Sequence, residues 1–178
     1  YGYELPIPPE DENGKMKNSQ KKNLPRLSQK SKELIAERGE FYVIEFLLRN
    51  FKNEFKDYKF ENNDDKTYII SGSFGSIEIC WLNKLHKNYI GSDIKIVKKI
   101  NEYSIDQYIE VKSTITDKNE KEWFELSAPQ WQLAQQVGEN FYIYRVYNIK
   151  TKNEDKSIEN GSDKKTFCEI IHNPVKLW

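Results

Sequence analysis

Apolar residues along this chain fall into two rhythms. From Ser28 to about Asn50, Leu34, Ile35, Phe41, Tyr42, Ile44, Leu47 and Leu48 recur at helical spacing. They predict a helix with a broad apolar surface, largely buried. Gly39 interrupts it, lowering local helicity but letting another backbone come close. Beyond a polar stretch the rhythm shortens to that of strands. Tyr68-Ile69-Ile70 and Ser76 to Leu82 are two of them, and the intervening Ser-Gly-Ser-Phe-Gly reads as a hairpin turn. Asp93 to Val97 and Ser104 to Thr114 follow, rich in β-branched and aromatic residues. Residues 117 to 122 are a charged turn, and Trp123-Phe124-Glu125-Leu126 reads as a short strand. Ser127 then opens a second helix with Pro129 in its first turn and Gln130 three residues on, a Ser-x-x-Gln capping box. Trp131, Ala134 and Val137 share its inner face, and Gly138 ends it. Phe141 to Ile149 is a strong strand, residues 150 to 166 a polar excursion, and Thr166 to Ile171 a last strand before Asn173-Pro174. The order predicts an α/β fold: a mixed central β-sheet flanked by helices.

Length and composition narrow the choice. The 178 residues suit one domain with an appendage. Residues 1–27 hold four of the six prolines among charged and polar residues, and read as a flexible linker or tail; residues 28–178 make the domain. Only 37% of residues are hydrophobic, but 13% are aromatic, and large rings bury much area each. Cys80 and Cys168, with only His86 and His172 beside them, make neither a disulfide framework nor a zinc cluster, and read as reduced core thiols. His86 and His172 lack partners at ligand or triad spacing and read as structural or surface residues. No apolar run approaches the length of a membrane span and no signal peptide is visible, so an intracellular protein with no membrane partner is expected, the chain starting without methionine as a piece of something longer. Twenty-eight basic residues balance 28 acidic ones. Phosphate binding normally leaves a basic surplus, so a nucleic-acid partner would need a local basic groove.

Candidate chemistry centres on Tyr108-Ile109-Glu110-Val111-Lys112. Residues two apart on a strand share a face, so Ile109 and Val111 enter the core while Glu110 and Lys112 point together on the other side. Alone, that is an ordinary ion pair on a solvated strand. Asp93 changes the picture, because it opens an apolar strand expected beside that of Glu110. Two neighbouring carboxylates repel unless a divalent cation bridges them, and hard oxygen ligands suit Mg²⁺. An acid from the first helix, Glu40 or Glu45, would complete the shell. Tyr142, Tyr144 and Tyr147 are candidates for stacking on bases, though aromatic strands are mostly core.

An acid on a helix, an Asp on one strand and Glu-x-Lys on the next resemble the P-D-(D/E)-x-K nuclease superfamily. More closely, the chain resembles the NO VEIN C-terminal domain family within it. The likeness rests on Arg-Gly-Glu at 38–40, Cys-Trp-Leu-Asn at 80–83, Gly-Ser-Asp-Ile at 91–94 and Tyr-Ile-Glu-Val-Lys-Ser-Thr at 108–114. It continues through Phe-Glu-Leu-Ser at 124–127, Gln130-Trp131 with Ala134, Tyr-Ile-Tyr-Arg-Val-Tyr at 142–147 and Asn173-Pro174. The resemblance implies a restriction-endonuclease-like core. It also implies a Mg²⁺- or Mn²⁺-dependent endonuclease cutting nucleic acid, with DNA the expected substrate, in a restriction or defence system and fused to or associated with an ATPase or helicase; an oligomer is compatible with it. It assigns Glu40, Asp93 and Glu110 to the metal, with Lys112 beside them and Gln130 in an auxiliary place. Ser92 stands where the superfamily motif has proline, and the family more often has an acid at the position of Gln130. Capping accounts for Gln130 equally well. Two other functions stay open: a catalytically silent nucleic-acid-binding or assembly module, and a sensor of modified bases or phosphoesters.

Overall fold

The structure is a computed structural model, and it describes residues 27–85, 91–118, 124–150 and 165–177. The expected linker before Leu27, residues 119–122 of the charged turn, most of the 150–166 excursion, Trp123 and His86 lie outside the described residues.

Helix α1 (Gln29–Glu54) begins where Ser28 accepts a hydrogen bond from the Ser31 amide at 3.1 Å, supplying one of the partners a helix start lacks. Its buried stripe runs through Ile35, Gly39, Glu40, Val43, Ile44, Leu47, Leu48 and Phe51. The helix ends four residues later than the pattern suggests, because buried Phe51 extends the stripe. Phe41 is 47% exposed and stands off the buried face, its ring 6.3 Å from that of Trp81. Gly39 is needed for close approach. A Cβ there would fall 1.7 Å from the Ser113 Oγ, so the helix lies directly against a strand side chain.

Seven strands form one sheet in chain order: β1 (Tyr58–Asn63), β2 (Thr67–Gly72), β3 (Gly75–Trp81), β4 (Ile94–Ile100), β5 (Tyr103–Ser113), β6 (Phe141–Tyr147) and β7 (Phe167–His172). Neighbours are antiparallel except β5 and β6, which run parallel with helix α3 (Ala128–Val137) in the connection. A four-residue helix, α2 (Leu82–Leu85), follows β3. This is the expected mixed sheet with helices. Alternation sorts the two faces. Ile109, Val111, Tyr144 and Val146 join α1 in one apolar cluster, while Tyr108, Phe141 and Ile143 join Ala134 of α3 in the other.

Several expectations need correction. β1 falls in the stretch read as polar. All its residues are exposed and it pairs only with β2, so no burial alternation marks it. Residues 124–126 form no strand, because both sides of β5 and of β6 are already taken; Phe124 and Leu126 pack on the α3 cluster instead. β6 stops at Tyr147, where Asn148 turns into the left-handed region at φ 58°. On α3, Leu133 rather than Trp131 packs with Ala134 and Val137. Cys80 and Cys168 are free, as expected, and half-buried; burial pushes their thiols up to about 11 and about 12. His172 is exposed and stacks on Tyr142, whereas Tyr144 is buried core.

Candidate metal centre

Asp93 stands one residue before β4, fixed by its backbone on both sides. Its amide donates to the Ile109 carbonyl at 3.0 Å, and its carbonyl accepts from the Leu82 amide at 2.8 Å. The side chain thereby turns toward β5, where Oδ2 accepts the Val111 amide at 2.6 Å and Oδ1 accepts Asn83 Nδ2 at 2.6 Å. Burial, the largest effect, raises the Asp93 carboxyl above its ordinary range, and the Val111 amide and Asn83 moderate the rise.

Glu110 and Lys112 leave β5 from the face opposite Ile109 and Val111, as the alternation requires. Glu110 is 3% exposed, and its Oε1 meets Lys112 Nζ at 2.8 Å and Gln130 Nε2 at 2.6 Å. Its Oε2 is buried with no hydrogen-bond donor. Burial first and the Asp93 charge second push the Glu110 carboxyl up to about 8, against the pull of Lys112. Glu40, buried on α1, is pushed up to about 7 by burial and then by Asp93. The Trp81 indole N–H donates to Glu40 Oε2, and Asn83 Nδ2 donates to Oε1 at 3.0 Å. Glu40 is therefore the helix acid of the site. Glu45 is exposed and lines a separate shallow depression with Arg38, Tyr42 and Thr166.

Gln130 caps its helix and also touches the charged pair of β5. Ser127 and Gln130 form the capping box of α3, Gln130 Oε1 accepting the Ser127 amide at 2.8 Å. The same Oε1 accepts from Lys112 Nζ at 3.2 Å, while Nε2 reaches Glu110. One side chain thus ties the start of α3 to both charged residues of β5.

Glu40, Asn83, Asp93, Glu110, Lys112 and Arg145 line one cleft of about 1000 Å³. Sequence reasoning gave no role to Trp81, Asn83 or Arg145. The first two lie inside the Cys-Trp-Leu-Asn likeness, but nothing local shows that they face Glu40. Arg145 pairs in register with Lys112 and is buried, its guanidinium 5.2 Å from the Phe124 ring and 5.5 Å from that of Tyr147.

The expected convergence on one point is only partly formed. Asp93 and Glu110 interact directly, while Glu40 is joined to Asp93 through the Asn83 amide. Among the described residues, no three His, Cys, Asp or Glu side chains close round a common centre. Like charges account for the spacing, since unneutralised carboxylates draw neutral donors between them. The donor set nonetheless fits a hard divalent cation. It offers carboxylate oxygens, all three acids hold their protons too tightly, and a buried oxygen of Glu110 lacks a donor.

No helix among the described residues is long and apolar enough to cross a membrane. No curated protein and no solved structure matches the chain. The family described as Protein NO VEIN, C-terminal matches residues 39–158, more than half of the chain and every acid of the cleft, and the chain belongs to that family.

Proposed function

We propose that this chain is a metal-dependent endonuclease domain on a restriction-endonuclease-like core, cutting DNA within a larger restriction or defence assembly. The observation that carries the reading is the meeting of Asp93 and Glu110 with Lys112 beside them, in a cleft that also admits Glu40. A scaffold has no use for a buried carboxylate such as Asp93, whose charge raises the affinity of its neighbours Glu40 and Glu110 for protons. Glu40, Asp93 and Glu110 would hold Mg²⁺ or Mn²⁺, which supplies an acidified water and charge neutralisation at a phosphate. Lys112 is half-buried and aimed by Gln130 and Glu110, so its ammonium orients the attacking water or steadies charge growing on the phosphoryl oxygens. Gln130 keeps Glu110 and Lys112 from swinging apart. Arg145 adds a second positive charge to the same cleft, in a chain whose net charge is zero.

That neutrality favours a second reading, a silent nucleic-acid-binding or assembly module, and it explains why an active domain would borrow its grip on DNA from a fused or associated ATPase. Cleavage assays on the whole assembly, with the nucleotide its ATPase needs, separate the two. Glu110→Ala and Lys112→Ala should each abolish cutting in Mg²⁺ or Mn²⁺ while circular dichroism stays native, and Ca²⁺ should support it poorly. Cutting that survives both substitutions, or survives chelation, leaves the module as the function.

A further inference from the structure

Asn83 sits on the short helix α2, exposed at the mouth of the cleft. Its Nδ2 donates to Glu40 Oε1 at 3.0 Å and to Asp93 Oδ1 at 2.6 Å, one N–H for each acid. Ionised carboxylates only accept, so the neighbours themselves decide which end of the carboxamide faces them. With both acids ionised and no cation, it is the amino end. Asn83 then supplies partial positive charge at the point where Glu40 and Asp93 come nearest to sharing something.

A divalent cation at that point reverses the requirement, because only Oδ1 can face it. Amide oxygens are ordinary ligands for hard divalent ions. The last torsion of asparagine is broad and roughly two-fold, so half a turn exchanges the two ends without moving the backbone. Two further observations fit this exchange. Trp81 holds Glu40 by Oε2, which leaves Oε1, the oxygen shared with Asn83, as the one to turn over to an ion. On the other side of Asp93, Glu110 Oε2 is buried beside the Asp93 carboxyl with no amide or hydroxyl donor, a place that a cation would fill.

We infer that Asn83 is a metal ligand, its carboxamide turning to present Oδ1 to a cation held by Glu40 and Asp93. The inference rests on the metal-site reading above and adds to it a neutral ligand that also occupies the site when the ion is away. The exchange keeps Glu40 and Asp93 from collapsing onto other partners between metal-binding events.

Calorimetric titration of Mn²⁺ into the 178-residue chain, without nucleic acid, tests this. Asn83→Leu should weaken binding about tenfold or more, the size of effect seen when a supporting group at a metal site is lost, and Asn83→Asp should bind at least as tightly as the wild type. A positioning role alone would also weaken Asn83→Leu, so a second readout is needed. In ¹⁵N-edited spectra, the Asn83 side-chain amide signals, identified by their loss in Asn83→Asp, should move on saturation with Mg²⁺ and exchange faster with water once released from both acids. Unchanged affinity in Asn83→Leu, or amide signals that Mg²⁺ leaves in place, overturns the inference. Glu40→Gln and Glu110→Gln tell the two failures apart. If they weaken Mn²⁺ binding while Asn83→Leu does not, only the role of Asn83 falls. If neither weakens it, or the wild type binds no Mn²⁺ at millimolar concentration, the metal centre falls as well.

Discussion

Replacing Glu110 with glutamine should stabilise the protein at alkaline pH, although it removes a charged residue from an ion pair. The amide keeps an oxygen for Gln130 Nε2 and Lys112 Nζ, and its new N–H₂ can fill the place beside Asp93 where Oε2 lacks a donor. The sign follows from the direction of the shift. Glu110 is pushed from 4.5 up to about 8 in the fold, so the folded protein keeps a proton that the unfolded chain gives up. Below about pH 4.5 both states are protonated and nothing is lost. Between there and about pH 8 stability falls by up to ~1.4 kcal/mol per pH unit, and above it the loss is complete. The ceiling is on the order of 5 kcal/mol. Asp93 titrates together with Glu110, and Lys112 offers the charged form a partner, so about 2 kcal/mol is the working expectation. For a domain of this size that corresponds to roughly 4–8 °C in melting temperature. Melts in chelator at pH 5, 7 and 8.5 give the measurement: a small difference at pH 5, with the variant pulling ahead as pH rises. Excess Mg²⁺ or Mn²⁺ at pH 8.5 should raise the wild type and leave Glu110→Gln nearly still. A variant that melts below the wild type at pH 8.5 in chelator, by more than at pH 5, would refute the reasoning and leave the Lys112 pair as a plain stabilising contact.

The same shifts make metal binding a proton-releasing event. With Glu40 pushed up to about 7 and Glu110 to about 8, Mn²⁺ affinity should rise between pH 6 and 9, and calorimetric heats should depend on the buffer's own ionisation heat; heats independent of the buffer would contradict it. Ser127→Ala should cost about 1 kcal/mol in urea denaturation through loss of the α3 cap, and an unchanged midpoint would remove the cap from the account. Gly39→Ala should cost on the order of 3 kcal/mol by pressing on Ser113, and Ser113→Gly in the same chain should recover most of it. If the double variant is no more stable than Gly39→Ala alone, the helix is not seated as described.

What could be read from the sequence was what a short repeat controls. The two-residue period around Ile109 and Val111 sets which side chains of β5 face which helix, and Glu110 and Lys112 follow from it. Ser127 and Gln130 mark the start of α3 because capping is local chemistry over four residues. β1 was invisible because an edge strand that buries nothing has no alternation to display. Phe124 and Leu126 look like a strand, being apolar at alternate positions, but strandhood needs a free edge and the sheet offers none beside β5 or β6. By the helix pattern alone Glu40 and Glu45 were equal candidates and only the family likeness favoured Glu40; in the fold, the approach of β3 and α2, bringing Trp81 and Asn83, separates them. Contacts such as Trp81 to Glu40 span 41 positions, beyond any local pattern.

The topology explains why these groups meet at one end of the sheet. β4 and β5 are antiparallel, so the beginning of β4 lies beside the later part of β5, and Ile94 pairs with Ile109. A residue just before β4 therefore comes level with Glu110, which is where Asp93 stands. β5 and β6 are parallel, so the chain must cross from the end of β5 back to the start of β6, and α3 makes that crossing. Its first turn consequently lies over the end of β5, and a capping residue there is within reach of the strand's charged side chains. Gln130 joins the two: it closes the helix start through Ser127 and holds Glu110 and Lys112 with the same amide. α1 crosses the opposite face, and its seat against Ser113 at Gly39 fixes the next residue, Glu40, near Asp93. The acids thus arrive from three chain segments by one antiparallel step, one strand alternation and one glycine contact. Disturbing Gly39 should accordingly weaken metal binding as well as the fold, whereas disturbing Ser127 should leave Gln130 able to bridge Glu110 and Lys112 and so leave metal affinity nearly intact.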